Sequence, residues 1–211
     1  MSDEALIDLA DEFAVAHRAL PAFADRLRSR CSPEIWNAPA PVLGVMSAEF
    51  DGRGAWTPWA HPHHVSGGVA ALVIAVRAHD DDDEDDDILH PVPRWAALQA
   101  PAIIDIVAVP FAAPQHWARR TGLARVLGRL PVWETAPVRI YRSPVGWLAG
   151  DGAGIAILER ERGAAASILR ACTGDIVADD ADHARELHAI ASRPVRVPRI
   201  RAAAPTRRVV A

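Results

Sequence analysis

The chain predicts a mixed α/β fold: a mainly parallel sheet flanked by helices, preceded by an N-terminal helix. Three observations predict it. From about residue 100 onward, short apolar runs alternate with helix-like segments, the order that gives parallel strands joined by helical crossovers. Before them, Leu6, Leu9, Phe13, Ala16, Leu20, Phe23 and Leu27 repeat at steps of three and four, a helical seam. Finally, 211 residues of which 50% are hydrophobic can bury a core without metals or disulfides.

The seam places a helix over residues 3–30. Ser2 suits its N-cap, and Asp3 and Glu4 suit the positive end of the helix dipole. Arg26, Arg28 and Arg30 suit the negative end. Pro21 lacks an N–H and its ring meets the carbonyl of His17, so a kink or break is expected there. The seam has two uses: packing on the body of the same chain, or pairing with a protein partner or a second copy.

Residues 31–41 read as a proline-containing connection. Val42–Phe50 reads as a strand, Asp51-Gly52-Arg53-Gly54 as a turn, and 55–68 as an irregular loop with two Trp and three His. Val69–Arg77 is apolar enough for a central strand buried on both faces. Asp80–Asp87, the run DDDDEDDD, repels itself and reads as an exposed acidic loop leading to a strand at Ile88–Trp95. Ile103–Val109 reads as an inner strand stopped by Pro110, and Gln115–Leu127 as a helix closed by Gly128. Val138–Tyr141 is a short strand, and Ser143-Pro144 opens a short helix with Ser as cap. Gly150 to Gly154 resembles a phosphate loop but precedes a strand, so it reads as a helix stop and tight turn. The strands Gly154–Leu158 and Asp175–Ala178 follow, separated by a helix over Gly163–Cys172. Asp179 or Asp180 caps a last helix that ends near Ala191. The expected organisation is thus an N-terminal helix at 1–30, one α/β domain at 31–192 and an Arg/Pro-rich tail at 193–211.

Charge is segregated. The net charge is −4, yet the tail carries six Arg and no acid, while the acidic run carries eight negative charges. The remainder is close to neutral and offers no broad basic face for nucleic acid. All 23 basic residues are Arg, which reads as a GC-rich, bacterial-type coding bias. Met1-Ser2-Asp3-Glu4 is acidic where a secretory signal needs positive charge, and the apolar run Val69–Val76 is too short to span a bilayer. A cytoplasmic chain with reduced Cys31 and Cys172 and no membrane contact is expected.

Three readings of function follow. The first is a non-catalytic binding or accessory protein, of a mobile-element or DNA-metabolism kind. It would act through the helix seam and through Arg193, Arg196, Arg199 and Arg201, with weak nucleic-acid contact through 193–211. The second is a divalent-metal phosphotransfer or nuclease-like enzyme. Glu159, Asp180 and Asp182 follow the carboxyl ends of two expected strands, where such sheets gather ligands. Their oxygens suit Mg²⁺. The span 159–182 resembles the Toprim pattern of primases and topoisomerases, in which a Glu ends one strand and an Asp-x-Asp ends a later one. That resemblance implies a metal held by these three carboxylates. The sequence departs from it: Arg160, Glu161 and Arg162 stand where a glycine usually follows, and the separation is short by a strand and a helix. The third reading is a Zn site at His61 and His63, which share one side of an extended backbone. Their spacing is similar to the His-x-His-x-Asp-His stretch of metallo-β-lactamase-like hydrolases, but no Asp-His pair follows His63, so nothing is transferred. No Gly-x-Ser-x-Gly is present. Of the seven Trp, most are expected in the core and a minority on a concave surface that suits ligands.

Overall fold

The computed structural model describes residues 8–59, 68–78, 101–129, 136–150 and 152–194. Helix α1 spans Leu9–Ala19 and is capped by Asp8, whose side chain accepts the N–H groups of Ala10 and Asp11. Pro21 breaks it as the missing donor requires: a 3₁₀ turn at Leu20–Phe23 separates α1 from α2, Ala24–Arg28. Residues 33–36, expected to be irregular, form a single helical turn, α3 (Pro33–Trp36), because Ser32 caps the N–H of Ile35 and Pro33 occupies the first turn.

Among the described residues, nine strands make two sheets. Strands β1 (Leu43–Phe50), β2 (Trp56–Pro58), β3 (Val69–Arg77), β4 (Ile103–Pro110) and β5 (Ala118–Arg119) form the first, in the order β2-β1-β3-β4-β5. Every pairing in it is antiparallel. The sheet curls: Ala55 bridges Arg119, and the N–H of Arg119 donates to the carbonyl of Gly54, so its two edges meet. Strands β6 (Val126–Leu127), β7 (Val138–Tyr141), β8 (Ile155–Ile157) and β9 (Ile176–Ala178) form the second, in the order β6-β8-β7-β9. Here β7 runs parallel to both β8 and β9, and β6 is antiparallel to β8. Helices α4 (Pro144–Ala149), α5 (Arg162–Ala171) and α6 (Ala181–Ala191) connect or follow the parallel strands.

This corrects the expectation of a mainly parallel sheet. The main sheet is antiparallel, and parallel pairing is confined to β7, β8 and β9. The physical reason lies between β4 and β7. A parallel neighbour needs a crossover, usually helical. The segment expected as a helix over Gln115–Leu127 instead makes turns and the short strands β5 and β6. It is held open by Asp105, a fully buried carboxylate on β4. Its Oδ1 accepts the N–H groups of Ile106, Arg120 and Thr121, and its Oδ2 accepts that of Ala124. Gly122, with φ at 78°, completes the reversal. Four N–H groups gathered by one buried carboxylate override the helical propensity of the segment.

Both faces of the curled sheet are buried. On one, Ala48, Ala71, Val73, Ala75, Ile106 and Ala108 pack with Trp56 and with Phe13 and Ala16 of α1. The alanines leave room for the indole, whose Nε1 donates across the curl to the carbonyl of Ile106 at 3.0 Å. Gly44 permits the close approach of α1: a Cβ there would lie 2.8 Å from Ala16. On the other face, Leu43, Val45, Leu72, Ile74, Val76, Val107 and Val109 pack with Leu27, Ile35, Tyr141, Trp147, Leu148 and Leu158. This second cluster joins the two sheets. A smaller cluster (Val138, Ile140, Ile155, Ile168, Leu169 and Leu187) fixes α5 and α6 on the parallel strands. No helix among the described residues is long and apolar enough to cross a membrane.

Candidate functional site

A cleft of about 720 Å³ opens where the curled sheet meets the segments after β4 and β8. One wall is the β1–β2 turn. Asp51 Oδ1 accepts the N–H groups of Arg53, Gly54 and Ala55 at 2.7, 3.0 and 3.0 Å. These bonds, that from Ala55 foremost, hold its carboxyl below the usual range. Gly52 and Gly54 take positive φ, as so tight a turn demands. Phe50, Val69, Pro110 and Ala113 provide apolar surface. Pro110 ends β4, and bonds from the N–H of Phe111 to Ala70, of Ala113 to Pro110 and of His116 to Ala113 fold the following segment back over the sheet. That fold carries Gln115, His116 and Trp117 to the opposite wall.

Arg160, two residues beyond the buried Leu158, completes the cleft. Its Nη2 donates to the carbonyl of Trp117 at 2.6 Å. Its Cζ lies 5.5 Å from the Trp117 ring centroid, a cation–π distance. The guanidinium also rests on Gly54, where a Cβ would come within 2.8 Å of its Cζ and Nε. The neighbouring arginines have carboxylate partners. Arg119 donates to Glu159 at 2.9 Å, and Arg120 binds Glu12 of α1 through two nitrogens at 2.8 and 2.9 Å. The described lining contains one guanidinium and no carboxylate.

The three carboxylates expected to hold a metal have separate partners. Glu159 is engaged with Arg119 at the junction of the sheets. Asp180 is the N-cap of α6: it accepts the N–H of His183 at 2.7 Å and pairs with Arg142 at 3.2 Å. The bond from His183, then the charge of Arg142, hold its carboxyl below the usual range. Asp182 pairs with Arg185 one turn along the exposed face of α6. Among the described residues no group of three His, Cys, Asp or Glu could hold a metal ion. His61 and His63 lie outside the described residues, as do the acidic run 80–87 and Arg196, Arg199 and Arg201. Arg193 is described and exposed, and its carbonyl accepts from Arg170. The seam of the N-terminal helix faces its own chain: Phe13, Ala16, Leu20 and Leu27 are buried in the two large clusters.

The cleft escaped the sequence reading because its walls come from residues 50–55, 69, 110–118 and 160, brought together only by the curl. Trp117 was the available signal: an indole preceded by two polar residues, Gln115 and His116, after a proline-stopped strand. Asp105 also left a trace, as the one acid inside an apolar strand run. Comparison with protein-family models, with curated proteins and with solved structures finds no match to this chain.

Proposed function

We propose that the protein is a non-catalytic binding protein whose ligand occupies the cleft of the curled sheet. The observation that carries this reading is the make-up of that cleft. About 720 Å³ of space is bounded by apolar side chains and by a guanidinium held in place by Trp117 and Gly54. Sites that hold small molecules share this design, an apolar concavity with a few oriented polar groups. The described lining residues offer contact surface, one oriented cation, the amide of Gln115 and the imidazole of His116, and no hydroxyl, thiol or carboxylate. Free Cys31 and Cys172, whose thiols burial pushes above their usual range, support a reducing compartment.

The test uses the full chain and Nile red, a neutral apolar dye. Ala112 lines the cleft and is exposed, so Ala112→Trp fills the space without entering the core. The dye should bind the parent protein, and A112W should weaken it at least roughly tenfold with an unchanged thermal midpoint. Equal affinity in both proteins, or no binding to the parent, overturns the reading.

A further inference from the structure

Resting on the cleft as the binding site, we infer that its ligand is a small molecule with an apolar body and one terminal oxyanion, a carboxylate or a phosphate, seated on Arg160. The argument begins with which charges are already neutralised. Arg119, on β5, and Arg120, which follows it, are paired with Glu159 and Glu12. Arg160 has no carboxylate partner among the described residues. A guanidinium carries five N–H groups in a rigid fork, and the one bond described for Arg160 goes to the carbonyl of Trp117. The remaining donors are at a group that lines the cleft.

Orientation comes next. A free arginine side chain loses rotamer entropy when it binds an anion. Here the carbonyl bond, the indole beneath it and the Gly54 backbone already restrain the guanidinium. Gly54 contributes by its lack of a side chain, since any Cβ would displace the Cζ of Arg160. A restrained fork suits the paired oxygens of a carboxylate or phosphate. The described lining adds no negative charge to oppose such an anion. Phe50, Val69, Pro110 and Ala113 add apolar surface, which a fully polar ion would leave unused.

Isothermal titration of the full-length protein with three naphthalene probes tests the inference. Naphthoate and naphthyl phosphate carry the oxyanion, and acetylnaphthalene is the neutral counterpart. At least one anion should bind roughly 10–100-fold more tightly than the ketone, the range for a hydrogen bond to a charged group. The tighter anion distinguishes carboxylate from phosphate. Arg160→Gln should abolish the preference, and Arg160→Lys should keep part of it, because charge persists without the planar fork. If ketone and anions bind the parent equally, or if R160Q retains the preference, the anion inference fails while the cleft remains a binding site. If no probe binds and Nile red also fails, both fall together. A thermal midpoint for R160Q close to the parent's confirms that the change is local.

Discussion

The two sheets solve the same problem in different ways. The curled sheet pairs strands that mostly follow one another in the chain, closes its edges on each other and buries both faces, with α1 on one side and the second sheet on the other. In the smaller sheet β8 and β9 both pair with β7 after helical connections, β6 pairs with β8 rather than with β7, and β9, at the edge of the described sheet, leaves Ile176 38% and Val177 44% exposed. Their aspartates mirror the contrast. Asp105 gathers four N–H groups with no solvent exposure, whereas Asp180 caps α6 in the open. The same chemistry, a carboxylate accepting backbone donors, therefore organises a tertiary turn in one sheet and a local helix start in the other.

The largest expected effect tests the buried half of that contrast. Asp105→Ala leaves the N–H groups of Thr121 and Ala124 without their acceptor, while that of Arg120 keeps the Ile106 carbonyl. It should cost about 3–5 kcal/mol in chemical denaturation. Amide exchange at Thr121 and Ala124 should accelerate; a loss below about 1 kcal/mol would remove Asp105 as the organiser of the β4–β6 segment. A smaller effect tests how α1 is seated. In Gly44→Ala the new Cβ meets the Ala16 backbone, and the helix must shift at a cost of roughly 1–3 kcal/mol. An unchanged midpoint would show that α1 is not held there.

The smallest effect concerns the exposed half. The folded Asp180 carboxyl sits below its usual range, so its contribution is present above the unfolded value and disappears as pH falls through the folded one. Asp180→Asn keeps a capping oxygen but neither titrates nor carries charge toward Arg142. The difference in thermal midpoint between parent and D180N should therefore be largest near neutrality and shrink as pH falls below the usual carboxylate range. A pH-independent difference would assign the effect to something other than this carboxylate.

Legibility followed range. Val138–Tyr141 as a strand, Ser143 as a cap, the stop at Gly150 and the Asp180 cap were all readable because each acts within three or four residues. Strand β3 was readable for a related reason: burial on both faces leaves a continuous apolar run. The segment 115–127 was misread because its backbone donors are satisfied by Asp105, at least 15 positions earlier in the chain for Arg120, Thr121 and Ala124. No local window contains that acceptor. The candidate site suffered most. Arg160 was read only as a departure from a carboxylate pattern, and nothing in its neighbours announces Gly54 or Trp117.

From the amino-acid order alone came the positions of most strands, the break at Pro21, the Ser143 cap and the choice of Asp179 or Asp180 for the last helix, because dihedral preference, missing donors and capping are properties of adjacent residues. The tertiary structure decided which strands pair and in which direction, where the buried carboxylate finds its donors, and which arginine is left facing a cleft. Those depend on hydrogen bonds and packing between segments whose separation along the chain carries no local mark.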